Sequence, residues 1–249
     1  MWNKISNISH PLSLHEALAL KESGTAFFSG GSYLNLKKNQ DITILIDINP
    51  LLSNEISSHK ERIVIGAGTS LQQIAEEFPQ TILSESIRCS CISKNTRNQR
   101  TIGGEVARQR KNSELLLLLL AMDVQVNVYF GKEIRTAISQ WDGNGVITDI
   151  ILDRGVLTAS CFERFSLISS APSFLIVASA ILSHKVKFTI GGKVNRISSY
   201  ETHNPPDDRQ IENIIDKSCD LFLNDHYGSV NYKQRLVKTA LKRLGDGKW

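Results

Sequence analysis

The sequence predicts an α+β fold. Three observations predict it: short apolar runs typical of strands, helical patterns that open with capping residues, and glycine pairs where the chain must turn. With 249 residues, 41% of them hydrophobic and 22% charged, the chain can bury substantial cores. The order of the elements indicates three pieces, residues 1–53, 54–155 and 156–249.

The first piece reads as a small α/β unit. Ser13 and Glu16 have the spacing of a capping box, in which a hydroxyl and a carboxylate bond each other's free backbone N–H groups at the start of a helix. Two strand-like runs and a glycine pair complete the piece: residues 25–29, Gly30-Gly31 and residues 42–48. A glycine pair directly after a strand predicts a sharply turning loop.

The second piece begins with a strand at 62–65, then Gly66-Ala67-Gly68 and a helix at 70–78. The spacing is close to a Rossmann fingerprint, which we reject because Leu71 occupies the third glycine position. Thr69 and Gln72 explain the helix start as a capping pair. After a second glycine loop, a buried helix is expected around the six leucines of 115–120. Strands at 124–130 and 146–152 follow it, with a turn at Gly131-Lys132 after the first of them. The sheet of this piece is expected to be mixed.

The third piece is predicted to combine strands and helices. Its expected elements are a strand at 156–165, a helix at 172–183, a hairpin at 186–197 turning at Gly191-Gly192, and helices at 208–224 and 229–244. The last helix carries a basic stripe that reads as solvated or partner-facing: Lys233, Arg235, Lys238, Lys242 and Arg243.

The most informative segment is 97–107, where Gly103 and Gly104 lie among cations. Paired glycines let the main chain lie against a ligand and direct N–H groups at phosphate oxygens. Around them, six basic residues accompany one carboxylate, Glu105: Lys94, Arg97, Arg100, Arg108, Arg110 and Lys111. The pattern indicates a site for a flat, anionic, nucleotide-like ligand, and the alternatives are an ordinary turn and a solvated basic face.

Other features exclude several classes. A net charge of +4 is too small to imply a nucleic-acid partner, and the leucine run is far shorter than the roughly 18 apolar residues of a membrane span. The four cysteines, Cys89, Cys91, Cys161 and Cys219, lack the spacing of zinc or iron–sulfur ligands, so we expect reduced thiols and no metal. Residues 1–6 lack the apolar region of a signal peptide, which predicts a cytoplasmic protein.

The two glycine segments together resemble a known family. Residues 30–35 read Gly-Gly-Ser-Tyr-Leu-Asn, and residues 97–105 read Arg-Asn-Gln-Arg-Thr-Ile-Gly-Gly-Glu. The pair resembles the FAD-binding (medium) subunits and domains of molybdenum hydroxylases such as xanthine dehydrogenase and carbon monoxide dehydrogenase, which carry Ala-Gly-Gly-Thr-Asp-Leu and then Arg-Asn-x-x-Thr-Ile-Gly-Gly-Asn. The residues of the two segments look closest to those of small FAD subunits in selenate reductase or purine hydroxylase clusters. Further similar segments follow in the expected order over nearly the whole chain: 11–18, 45–48, 65–71, 115–122, 162–166 and 228–233.

The resemblance implies a fold and a role. The fold is a PCMH-like FAD-binding pair of subdomains, 1–53 and 54–155, followed by a C-terminal α+β domain at 156–249 like that of carbon monoxide dehydrogenase flavoprotein. The role is an oxidoreductase subunit that passes electrons from the iron–sulfur clusters of a partner through FAD to NAD or another acceptor. An iron–sulfur subunit and a molybdopterin subunit are the implied partners, with no nucleic acid and no membrane. No catalytic residue is assigned on this chain.

The resemblance also implies cofactor-binding residues. The loop around the pyrophosphate matches Ser29, Gly30, Gly31, Ser32, Tyr33 and Leu34, and the second loop matches Thr101, Gly103 and Gly104. Arg108 falls where the family often has a small hydroxyl residue, Glu114 near the sugar or ribityl hydroxyls, Ile150 or Ile151 near the flavin ring, and Arg164 near a basic residue of the flavin site. A cation beside the ring stabilises anionic reduced flavin, so Arg164→Ala is expected to lower the midpoint potential.

Three departures from the family pattern keep other functions open. Ser32 and Tyr33 replace Thr-Asp, Glu105 replaces Asn, and residues 108–112 lack the usual Ser-Pro. Arg108 and Arg110 could neutralise Glu105. The departures motivate a second hypothesis, a divergent scaffold subunit that binds FAD weakly or not at all. A self-contained flavin oxidase or reductase is a third, and the lack of an acid–base residue near the glycine loops argues against it.

Overall fold

The computed structural model describes residues 5–37, 41–203 and 205–245, so residues 1–4, which contribute to the signal-peptide prediction, lie outside it. Its strands are β1 (Asn7–Ser9), β2 (Thr25–Phe28), β3 (Ile44–Asp47), β4 (Ile56–Ser58), β5 (Arg62–Gly66), β6 (Gln125–Tyr129), β7 (Glu133–Ala137), β8 (Val146–Asp153), β9 (Ser160–Phe165), β10 (Leu175–Leu182), β11 (Lys185–Gly192) and β12 (Ser198–His203). Its α-helices are α1 (Leu14–Ala19), α2 (Ser32–Lys37), α3 (Leu71–Glu77), α4 (Ile82–Ser90), α5 (Lys94–Gln99), α6 (Ile102–Ala107), α7 (Glu114–Ala121), α8 (Arg154–Thr158), α9 (Asp208–Lys217) and α10 (Val230–Gly245).

The chain folds into two compact units, each built from separate stretches. Unit 1 comprises Met1–Glu77, Ser93–Arg108 and Gln125–Ile151, and unit 2 comprises Phe78–Ile92, Gln109–Val124 and Leu152–Trp249. The division of the chain at residues 53 and 155 stays a prediction. Among the described residues, no helix is long and apolar enough to cross a membrane.

Unit 1 contains two sheets. β1, β3 and β2 form a parallel sheet in that order, and β4-β5-β8-β6-β7 form a five-stranded sheet. Ser13 caps α1 by accepting a bond from the Glu16 N–H, as predicted, but the Glu16 carboxylate accepts from Leu12 N rather than from Ser13 N. The prediction of a Thr69–Gln72 cap on α3 is wrong, because the Ser70 hydroxyl accepts from Gln73 N.

Unit 2 contains a four-stranded antiparallel sheet in the order β12-β11-β10-β9. Its core joins β10 and β11 to α9 and α10 through buried side chains such as Phe188, Ile211 and Leu241. The leucine run forms α7 as predicted, with Leu115–Leu119 buried. Lys233 does not belong to a solvated stripe, since its side chain is 1% exposed and its ammonium donates to Leu223 O and Asp225 Oδ1.

Three sequence predictions in unit 2 are wrong. The helix expected at 172–183 is replaced by strand β10 (Leu175–Leu182), because residues 175–180 are buried and the strand pairs with a neighbouring strand on each side. The expected hairpin at Gly191-Gly192 is instead the end of the continuous strand β11, and the turn lies at Ser183, where φ is +56°. Asp153 caps a short helix, α8, so β9 begins only at Ser160.

The cysteines of unit 2 differ in accessibility. Burial raises the pKa of the Cys161 thiol to about 12, whereas Cys219 is exposed. Because the thiolate is the reactive form, we expect a thiol reagent at pH 8 to modify Cys219 within minutes and Cys161 only after unfolding. Peptide mass spectrometry with and without urea measures this, with Cys219→Ser as the control. Modification of native Cys161 at the rate of Cys219 would contradict its placement in the core.

Candidate functional site

Unit 1 contains a cavity of about 280 Å³. Three segments contribute most of its lining: the first glycine loop with the start of α2, Arg100 with α6, and residues 141–147. Small-molecule sites in proteins span about 300–1,000 Å³, so the cavity volume lies just below that range. A ligand of the size of FAD would therefore extend out of it.

The first glycine loop connects β2 to α2. Gly31 has φ +68°, a conformation that favours glycine, and a Cβ on Gly30 would lie 1.6 Å from Gln99 O. The backbone of this loop therefore touches the segment that leads into α6. Among the described residues, the N–H groups of Gly30 and Gly31 have no hydrogen-bond acceptor. These two donors remain available to a ligand in the cavity.

The second glycine pair lies in the first turn of α6, not in the predicted loop. Thr101 caps this helix by accepting from Gly104 N at 3.2 Å. The N–H groups of Ile102, Gly103 and Glu105 donate to Thr69 O, Ala67 O and Thr101 O, respectively. The second pair therefore contributes shape to the cavity, and its N–H groups are already bonded within the protein.

Gly103 and Gly104 have different roles in this shape. A Cβ on Gly103 would lie 2.7 Å from the Cβ of Ala67, so Gly103 lets α6 pack against the turn after β5. A Cβ on Gly104 would meet only Thr101 Oγ1, at 3.0 Å, and Gly104 is exposed at the cavity. Gly104 is thus the member of the pair that leaves room for a ligand.

Arg100 connects the two glycine segments. Its Nε donates to Ser32 Oγ at 3.4 Å, and its Nη1 lies 3.4 Å from Glu105 Oε2. The Arg100 and Glu105 side chains are only 9% and 0% exposed. Since a buried carboxylate needs a partner, Arg100 neutralises Glu105 in the position where the family pattern has Asn.

The basic run of 94–111 is dispersed by the fold. Only Arg100 and Arg108 of its six cations are among the cavity-lining residues. Arg108 lies over the ring of Tyr33, 3.9 Å from its centroid, which is a cation–π contact. Arg110 belongs to unit 2 and donates to Ser90 O. Arg100, which the sequence did not suggest as a partner of Glu105, forms an ion pair with it.

The third lining segment follows β7. Trp141, Gly143, Gly145, Val146 and Ile147 line the cavity. The indole N–H of Trp141 donates to Asn144 O at 2.8 Å, and Asp142 accepts from both the backbone and the side chain of Asn144. The segment is thus held by its own hydrogen bonds.

The remaining predicted residues lie elsewhere. Glu114 and Arg164 belong to unit 2 and form an ion pair there, and neither lines the cavity. Ile151, at the end of the stretch of unit 1, is buried in β8 opposite Gln125 and is likewise not among the lining residues. The cavity lining brings together Ser29–Leu34, Thr101, Gly103, Gly104 and Arg108. It does not include Glu114, Ile151 or Arg164.

Comparison with known proteins identifies the family. Residues 4–141 match the family model described as FAD binding domain in molybdopterin dehydrogenase. The chain belongs to this family. The uncharacterized protein YgfM of Escherichia coli (strain K12) is 27% identical over 255 residues, covering 96% of this chain and 95% of that protein.

Solved structures of similar fold cover nearly the whole chain. A carbon monoxide dehydrogenase from Hydrogenophaga pseudoflava that lacks the Mo-pyranopterin moiety of the molybdenum cofactor matches with a TM-score of 0.75 and 17% identity, covering 96% of this chain and 95% of that one. Quinoline 2-oxidoreductase from Pseudomonas putida 86 matches with a TM-score of 0.72 and 14% identity, with the same coverage. The predicted α+β fold of the carbon monoxide dehydrogenase flavoprotein type is confirmed.

Sequence reasoning did not single out the Trp141 segment of this family member. The run Asp142-Gly143-Asn144-Gly145 is a strong turn signal, with φ of +90° and +79° at the two glycines. A tryptophan next to such a turn is a signal for a ligand surface, because an aromatic side chain on a loop held in place is a frequent recognition element.

Proposed function

We propose that the chain binds FAD in the cavity of unit 1. The observation that supports this most directly is the first glycine loop, because Gly30 and Gly31 line the cavity and their N–H groups have no hydrogen-bond acceptor among the described residues. Backbone donors beside a glycine are suited to phosphate oxygens, because no Cβ keeps the ligand away. Membership of the FAD-binding family supports FAD as the ligand.

Within this proposal, the cavity residues have different roles. The loop of Ser29–Leu34 would hold the pyrophosphate, and Thr101, Gly103 and Gly104 would shape the wall beside it. Arg100 would keep Glu105 neutralised, so that the carboxylate does not repel a diphosphate. Glu114, Ile151 and Arg164 are proposed flavin-side positions on the strength of the resemblance alone.

We further propose that the chain is the electron-transfer subunit of a multi-subunit molybdenum hydroxylase of the xanthine dehydrogenase type. FAD, when bound, would supply the ability to accept electrons singly and release them in pairs. An iron–sulfur subunit and a molybdopterin subunit are the proposed partners, NAD or another acceptor takes the electrons, and the complex lies in the cytoplasm. A selenate reductase or purine hydroxylase cluster is the proposed setting.

Reconstitution tests the FAD proposal. The purified chain is mixed with FAD and desalted, and the visible flavin absorption is compared with the protein concentration. We expect about one flavin per chain, because the backbone donors and the cavity are already in place. Absence of retained flavin, together with no change in Tm at saturating FAD, would contradict it and favour the scaffold hypothesis.

The scaffold hypothesis has its own support. The N–H groups at the start of α6 are already bonded, and a buried carboxylate, Glu105, stands in the cavity wall. Both features reduce the number of groups that can hold a phosphate. A chain that assembles with its partners while retaining no flavin would establish this second function.

Gly104→Ala is the variant that separates binding from folding. Alanine favours a helix over glycine by about 1 kcal/mol, which offsets the tight contact of the new methyl with Thr101, so the free energy of unfolding should change by less than about 1 kcal/mol. The methyl would occupy the ligand's side of the wall, and the Kd for FAD should rise about tenfold or more. Urea unfolding and an FAD titration measure the two effects. An unchanged Kd would show that Gly104 does not face the ligand.

A further inference from the structure

Trp141 differs from the other aromatic residues that line the cavity. The cavity lining includes three aromatic side chains, Phe27, Tyr33 and Trp141. Lys21 lies over Phe27, 5.3 Å from the ring centroid, and Arg108 lies over Tyr33. For Trp141, the described part of the chain shows no ring or cation partner.

The hydrogen bonding of Trp141 limits what it can offer a ligand. An indole has a single hydrogen-bond donor, its N–H, and that group already donates to Asn144 O. The half-buried side chain still lines the cavity, so the ring itself is the surface left for contact. The bonds of Asp142 to Asn144 hold the segment in place before any ligand arrives.

We propose that Trp141 is a binding residue that stacks on a planar heteroaromatic ring of the ligand. The inference rests on the proposed binding of FAD, which carries two such rings, adenine and isoalloxazine. Stacking on a fixed indole adds affinity without a new hydrogen bond, because the aromatic faces replace their contacts with water. The residue thereby selects dinucleotides and nucleotides over inorganic phosphate.

Two variants and three ligands test the inference. Binding of FAD, FMN and ADP is measured by calorimetry with the wild-type chain, Trp141→Phe and Trp141→Ala. Stacking of one base on an aromatic side chain corresponds to roughly a five- to hundredfold change in Kd, which is expected for Trp141→Ala with FAD. Trp141→Phe keeps a ring and should stay close to wild type. A parallel loss for FMN assigns the isoalloxazine, and a parallel loss for ADP assigns the adenine.

Tryptophan fluorescence provides a second readout that leaves Trp141 itself unchanged. The other two tryptophans of the sequence are Trp2 and Trp249, so Trp2→Phe/Trp249→Phe leaves Trp141 as the sole indole. FAD should quench its emission, and ADP, which cannot accept energy from the indole, should quench it only if adenine is the stacked ring. Wild-type retention of FAD with an unchanged Kd in Trp141→Ala overturns the inference alone. No retention by the wild type overturns the proposed function, and the inference falls with it.

Discussion

Arg164→Ala is expected to lower the free energy of unfolding of unit 2 by about 3–5 kcal/mol, because it would leave a buried carboxylate without its cation. The Arg164 Nε lies 3.2 Å from Glu114 Oε1, and the Glu114 side chain is only 2% exposed. Urea unfolding followed by circular dichroism measures the loss. A loss below about 1 kcal/mol would contradict the buried pair.

The contacts of the guanidinium explain why a charge alone cannot replace it. Nε also donates to Ser173 Oγ, Nη1 donates to Ser169 O, and Nη2 donates to Ala171 O. Lysine keeps the charge but lacks the planar fork. We therefore expect Arg164→Lys to remain destabilised by about 1.5–3 kcal/mol. The double variant Arg164→Ala/Glu114→Leu should be less destabilised than the sum of its single changes.

The same pair of variants separates the structural role of Arg164 from its proposed role at the flavin. If the positive charge raises the midpoint potential, Arg164→Ala lowers it in the reconstituted protein and Arg164→Lys largely preserves it. Stability and potential would then respond differently to lysine. An unchanged potential in Arg164→Ala would leave Arg164 with a role in folding alone.

Local chemistry made parts of this fold predictable from sequence. Ser13 ahead of a helical pattern predicts a cap, and an apolar run between charged residues predicts the buried helix α7. Both features depend on neighbours in the chain. The two glycine segments are also recognisable in the sequence, because a glycine pair permits positive φ and close backbone contacts wherever it lies in the fold.

Tertiary pairing made other parts unpredictable. The run Leu-Ile-Val-Ala-Ser-Ala-Ile-Leu in β10 is apolar at every position except Ser179, so its periodicity cannot separate a buried helix from a central strand. Its neighbours β9 and β11 decide the matter by pairing with it on both sides. β9 precedes β10 and β11 follows it, but the sequence of neither strand shows which edge of β10 it will pair with.

In the cavity, too, the sequence does not show which side chains will contact each other. Glu105 pairs with Arg100, which lies five positions earlier and on the other side of the Thr101 cap, a partner that helical spacing does not indicate. Sequence identified four glycines as candidates for ligand contact. Only the packing around them shows that Gly30 and Gly103 approach other backbone or core atoms, while Gly104 opens to the cavity.

Gly30→Ala is expected to have the second large effect, a loss of about 3 kcal/mol or more in the stability of unit 1 and loss of FAD retention. The new Cβ would lie 1.6 Å from Gln99 O and 2.7 Å from Gln99 C, so backbone must move. That backbone is held on both sides, since Arg100 N donates to Thr96 O and Arg100 O accepts from Leu71 N.

The matched control for Gly30→Ala is Gly131→Ala, which lies outside the cavity lining. Gly131 has φ +75° and open space where a Cβ would stand, so it measures the conformational cost of alanine without a collision, about 1–2 kcal/mol. Gly131→Ala should retain FAD. If Gly30→Ala had the same stability and flavin content as Gly131→Ala, the two glycine segments would not touch in solution. A larger loss in both would tie cofactor binding to their contact, because displacing the first loop moves the Gly30 and Gly31 donors away from the wall formed by α6.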